Sequence, residues 1–136
     1  MPDLPLRPVE TGYHASTSSP VDGVWVVRTA EELHTLWRRA MSTHRPEPVP
    51  PPVDWATEMA VLFVLGVRGT GGYVARVERV RADDGVLRVF VLEERPGAGV
   101  GTTQALSNPF HLVAVPRTED HLPVEVVTRV AVVDWE

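Results

Sequence analysis

Only one stretch of this 136-residue chain repeats its apolar residues with a helical period. Leu33, Leu36, Trp37, Ala40 and Met41 fall at i, i+3, i+4, i+7 and i+8, which makes a single apolar stripe. Thr29-Ala-Glu-Glu32 precedes it and has the form of a capping box. The Thr29 hydroxyl is placed to accept from the amide three residues on, and Glu32 to reach back to the Thr29 amide. Glu31 and Glu32 at the start, and Arg38 and Arg39 near the end, complement the helix dipole. One helix is therefore expected over 29–41, and the remaining apolar residues have to be accommodated in strands.

Those residues fall in short β-branched runs separated by turn formers. Val24–Arg28 reads as a strand. Met59–Leu65 is apolar throughout, as a central strand covered on both faces would be. Gly66–Gly72 is a glycine-rich turn. In Tyr73–Ala82 the residues Val74, Val77 and Val80 recur every third position, which a β-bulge reconciles with a strand. Asp83-Asp84-Gly85 is a hairpin signal. Val86–Leu92 and Phe110–Val115 are further strands, and Pro96–Gly101 is a loop. Val124–Val133 alternates, with Val124, Val126, Thr128, Val130 and Val132 on one side and Glu125 and Arg129 on the other. Pro46–Pro52 is an extended connector, since proline-dense segments form neither helix nor central strand. Residues 1–22, rich in Pro, Ser and Thr, read as an irregular arm that packs in part through Leu4, Leu6 and Tyr13. Residues 23–136 read as one domain. The expected fold is mainly β with one α-helix (α+β): an antiparallel sandwich or open barrel with the helix on one end or face.

Composition narrows the function classes. The chain has no cysteine, so disulfides, zinc-thiolate sites and a thiol nucleophile are excluded. A net charge of -5, with all 13 basic side chains arginines and scattered, lacks the basic footprint that nucleic-acid binding needs. No run approaches the roughly 20 apolar residues of a membrane span. The first residues have no basic segment followed by an apolar one, so the chain as written reads as cytoplasmic.

Catalytic signals are thin. A hydroxyl nucleophile needs a base, and the base needs an orienting group. Among the histidines, His14 falls in the arm, His34 beside the helical stripe, His44 before the proline run and His121 in a polar turn. Only His111, in Asn108-Pro109-Phe110-His111, sits on a strand, where it shares a face with Val113 and Val115. It is either a structural histidine bonded to backbone or the centre of a small-ligand or enzyme site. Neither Ser42 nor Ser107 has a nucleophile's sequence context. No metal-ligand spacing occurs, Asp83-Asp84 is a turn, and Glu93-Glu94 reads as a solvated strand end. Gly69-Thr-Gly-Gly72 is followed by a strand and lacks a lysine, so it is not a phosphate loop. No cofactor, no metal and no enzymatic activity are expected.

A series of motifs carries a family likeness. Val53-Asp54-Trp55 leads into the apolar strand ending in Gly66. Then follow Thr70-Gly71-Gly72-Tyr73, Pro96-Gly97, Thr103-Gln104-Ala105, and Pro109-Phe110-His111-Leu112-Val113 closing on Pro116-Arg117. Over roughly 24–117 this resembles the C-terminal domain of the bacterial protease-complex subunit PrcB. The resemblance implies a non-catalytic protein that supports the assembly or stability of a subtilisin-like protease, in a family with many exported members. The lipobox cysteine of lipoprotein relatives has no counterpart here. The Thr-Gly-Gly-Tyr turn is also similar to the Thr-Thr-Gly-Tyr loop of chagasin-type protease inhibitors, although Arg68-Gly69 stands where that loop has Asn-Pro.

The resulting expectation is a protein-binding module that assists, stabilises or inhibits a protease through its glycine-rich loop end. Thr70, Gly71, Gly72 and Tyr73 form the tip, Pro96 and Gly97 lie beside it, and Phe110 and His111 support it. A third reading is structural: the valine-rich final strand is a sheet edge through which two copies pair.

Overall fold

The computed structural model describes residues 3–17, 21–118 and 122–133. Its elements run β1 (Arg7–Gly12), β2 (Gly23–Val27), α1 (Ala30–Ala40), β3 (Glu58–Val64), β4 (Val74–Asp83), β5 (Val86–Pro96), β6 (Phe110–Pro116) and β7 (Val124–Val133). A four-stranded sheet, β1-β6-β3-β2, packs on a three-stranded sheet, β4-β5-β7, so the fold is a sandwich and not a closed barrel. The helix covers the outer face of the four-stranded sheet.

The continuous apolar run of β3 follows from this layering. Its alternate residues enter two different cores. Ala60, Leu62 and Val64, with Phe110 and Leu112 of β6, meet Leu33, Leu36, Trp37 and Ala40 of the helix. Met59, Val61 and Phe63, with Val113 and Val115, meet Ala75, Val77, Val80, Leu87, Val89 and Val91 of the second sheet. A strand covered on both faces has no position left for a polar alternation.

Local signals are realised with small shifts. Thr29 caps the helix by accepting from the Glu32 amide at 3.1 Å. The Glu32 carboxylate accepts from the Arg28 amide at 3.0 Å, one residue earlier than the capping box predicts. The β4–β5 hairpin closes on Asp84 and Gly85, both at positive φ (53° and 73°), the turn whose twist matches its strands. The expected bulge lies between Val77 and Arg79. It resets the strand so that Ala75, Val77 and Val80 face the core, while Val74 is only half-buried.

Two expectations are corrected. The arm is not wholly irregular: β1 pairs antiparallel with β6, because that strand would otherwise present an open edge next to the helix-side core. Leu4 and Leu6 pack against the inter-sheet core. The sandwich is also not purely antiparallel, since β7 runs parallel to β5. Parallel neighbours need a long crossover, and residues 97–123, which carry β6 through the opposite sheet, supply one. Residues 47–54 carry no helix or strand, in keeping with an extended connector.

Candidate functional site

The glycine-rich turn between β3 and β4 is held by hydrogen bonds to the 103–107 segment and by an ion pair to β5. Arg68 and Ser107 exchange both backbone hydrogen bonds, at 2.8 and 3.0 Å. The Ser107 hydroxyl donates to the Thr70 carbonyl at 2.7 Å, and the Gly71 amide donates to the Thr103 carbonyl at 3.0 Å. The turn is thus hydrogen-bonded to the 103–107 segment.

Glycine is needed at two positions for different reasons. Gly72 has φ 89°, and a Cβ there would meet Thr102 Cγ2 at 2.9 Å and Pro96 Cβ at 3.0 Å. At Gly71 the obstacle is proximity: a Cβ would lie 2.5 Å from Thr103 Oγ1. These glycines let two loops touch.

Beneath them lies an ion cluster that the sequence did not reveal. Glu93 was expected at a solvated strand end but is only 6% exposed. The register of β5 turns it to the inner face, where it accepts from Arg68 Nη2 at 3.1 Å and Arg95 Nε at 2.9 Å. Burial pushes its carboxyl up, but the two guanidiniums together hold it below the usual carboxylate range. The Arg68 guanidinium also lies 5.7 Å from the Tyr73 ring centroid, so Tyr73 is half-buried under a cation and is not a free tip.

The surface of this loop end is concave. A cavity of about 580 Å³ is bounded by Gly71, Gly72 and Pro96 on one side and Thr103, Leu106 and Ser107 on another. Tyr13 and His14 from the arm and Val133 from β7 complete the rim, with Val74 and Glu94 also in the lining. Tyr13 and Leu106 are 53% and 59% exposed, large apolar groups at the mouth. The polar groups in the lining include some already engaged, since Ser107 bonds to Thr70 and Glu94 pairs with Arg76 at 3.3 Å.

Several sequence-derived candidates lie elsewhere. Gly97 is buried, its amide donating to the Val133 carbonyl at 2.7 Å. Thr70 is half-buried and outside the cavity lining. Phe110 points to the helix, edge-on to Trp37 with ring centroids 5.7 Å apart. His121 lies outside the described residues. Tyr13, expected from the sequence to help pack the arm, is instead exposed at the rim, and Leu106 and Asn108 were not singled out as site residues. A signal existed for Asn108: it is the chain's single asparagine, placed directly before the proline that opens a strand. It is buried, and its side chain accepts from the Gly66 amide at 3.0 Å and donates to the Ser16 carbonyl at 3.4 Å. Its backbone amide and carbonyl bond to Tyr13 and Ala15, which ties the arm to the loop end.

His111 faces the second sheet and accepts from the Val77 amide through Nδ1 at 2.9 Å. The bulge disrupts the β4 ladder at this point, and the imidazole bonds its backbone from the opposite sheet. Acceptance by Nδ1 requires the neutral ring. Burial, with Arg76 as the lesser cause, holds the His111 pKa below its ordinary value. His111 does not line the loop-end cavity.

A pH dependence follows. With a folded pKa below the unfolded one, the unfolded chain binds the extra proton first, so stability falls as pH falls. The loss begins near the unfolded value of about 6.5 and is complete below the folded value. Denaturant midpoints for the wild type should decrease between roughly pH 7 and pH 5. His111→Gln, which can accept but not titrate, should flatten that decrease; an unchanged slope would refute the assignment.

Taken together, the architecture is a helix-backed β-sandwich with a concave loop end, its glycines fixing one loop against another. Residues 59–116, from β3 through β6, match the family model described as PrcB C-terminal. This is the family that the motif series resembles, and the matched stretch contains both loops that wall the cavity. No curated protein and no solved structure matches the chain. Among the described residues, no helix is long and apolar enough to cross a membrane.

Proposed function

We propose that this chain is a non-catalytic protein-binding module of a protease complex, and that its partner docks at the loop end. The observation that carries the reading is the cavity of about 580 Å³ at the junction of the Gly71–Gly72 turn and the 101–107 segment. Exposed aromatic and aliphatic side chains around a concavity are the usual anchors of protein contact, because they bury large area at little entropic cost. The engagement of Ser107 and Glu94 within the fold favours apolar side chains of a partner over a polar small molecule. The family match supports a protease complex as the setting of that partner.

The His111-centred alternative has less support. That imidazole is bonded to the Val77 backbone and lies outside the cavity lining.

Affinity capture from extracts of the source cells tests the proposal. The wild-type chain should retain a protease or a protease-associated subunit. Tyr13→Ala and Leu106→Asp, both at exposed rim positions, should each weaken retention by about tenfold or more. Retention of every partner by both variants would show that the loop end is not the contact surface. Substitution of Gly72 would be a poorer probe, since any added side chain meets Pro96 and Thr102.

A further inference from the structure

Strand β7 is bonded to β5 along its whole length, from Leu87↔Val124 to Pro96↔Val133. Among the described residues no strand pairs with its other edge. This edge is 10 residues long, contains no proline, and carries two charged side chains, Glu125 and Arg129. The register puts Val124, Val126, Val130 and Val132 on the same side as Leu87, Val89 and Glu93, the side that faces the opposite sheet. Those valines are nevertheless 44–62% exposed, and no β7 residue belongs to either core. The inner surface of the three-stranded sheet therefore continues past the part that the other sheet covers.

The sequence of this strand complements itself. In an antiparallel pairing of two β7 strands about a two-fold axis at Val127, Glu125 faces Arg129 of the other copy, twice. Val124 then faces Val130, Val126 faces Thr128, and Val127 faces Val127. Within one copy Glu125 already lies 3.5 Å from Arg88, and Arg129 lies 2.7 Å from Glu78. Joining the edges would extend these pairs into rows that alternate in sign across the junction: Arg88, Glu125, then Arg129 and Glu78 of the second copy. Opposite charges and β-branched side chains directly across from one another are the favourable cross-strand pairs.

We propose that the occupant of the β7 edge is a second copy of this chain, paired antiparallel in that register. The two three-stranded sheets become one continuous six-stranded sheet. The pairing satisfies the free backbone groups of β7 and brings its uncovered valines together in the dimer.

Sedimentation of the full chain across the micromolar range tests the pairing. The wild type should be dimeric. Glu125→Arg sets Arg against Arg129, and Arg129→Glu sets Glu against Glu125. Each change should weaken the dimer by about tenfold or more. Both side chains are more than half exposed, at 54% and 61%, so circular dichroism should report an unchanged fold. Mixing the two variants should restore dimers, because both cross-strand pairs are then of opposite charge. A monomeric wild type, single variants that dimerise normally, or a mixture that stays monomeric would each overturn the proposal.

Discussion

Replacing Trp37 with alanine should lower the unfolding free energy by about 3–5 kcal/mol. Trp37 is 1% exposed and lies at the centre of the helix-side core, edge-on to Phe110 at an interplanar angle of 83°. The Phe110 ring in turn lies so close to Gly12 that a Cβ there would fall 2.6 Å from it. The helix, β6 and β1 therefore share one aromatic contact, and the walls have little freedom to collapse into the space an alanine leaves. At roughly 3–6 °C per kcal/mol for a domain of this size, the melting temperature should drop by about 10 °C or more. Among the described residues the buried indole Nε1 has no hydrogen-bond partner, so Trp37→Phe removes that donor while keeping an aromatic ring. It should cost a fraction of the alanine change. Equal losses for both variants would show that the indole N–H matters more than the packing.

Asn108→Leu should be the second most damaging of these changes and should act on fold and site together. It leaves the buried Gly66 amide without its side-chain acceptor and removes the Asn108 bond to the Ser16 carbonyl. Each buried group left unpaired costs about 1–3 kcal/mol. The consequence for binding follows from position. Gly66, with φ 100°, starts the turn that leads to Gly71 and Gly72, and the Asn108 backbone fixes Tyr13 and Ala15. Loss of this junction should loosen the glycine turn from the arm. Hydrogen exchange should then report faster opening of the Gly71 and Arg68 amides than of the β3 and β6 amides. Uniform acceleration across all four would indicate global destabilisation alone.

The two predictions mark where sequence reading succeeded and where it stopped. The stripe containing Trp37 was legible because helical spacing is a local property, and the structure has the helix at Ala30–Ala40. The Asp84-Gly85 turn was legible because positive φ at two adjacent residues calls for that residue chemistry. Asn108 was visible only as unusual context, since its partners at Gly66 and Ser16 are 42 and 92 residues away. The same holds for Glu93: beside Glu94 it looks like a charged strand end, and the reach of Arg68 from the distant turn, with Arg95, makes its burial tolerable. Of the proposed site residues, Gly71, Gly72 and Pro96 meet at the cavity. Phe110 and His111 point into the two opposite cores because adjacent strand residues face opposite sides of a sheet.

The amino-acid sequence by itself determined the single helix with its Thr29 cap, the doubly covered central strand, the bulged hairpin and the resemblance of the motif series. Each rests on periodicity, turn chemistry or motif order along the chain. Tertiary structure alone decided that the arm supplies β1, that β7 runs parallel to β5, and that Tyr13 joins Leu106 and Val133 around the loop-end cavity. Strand order and direction depend on which edges need covering and on the path a connection takes across the other sheet. Those are properties of packed layers, and no local pattern of residues encodes them.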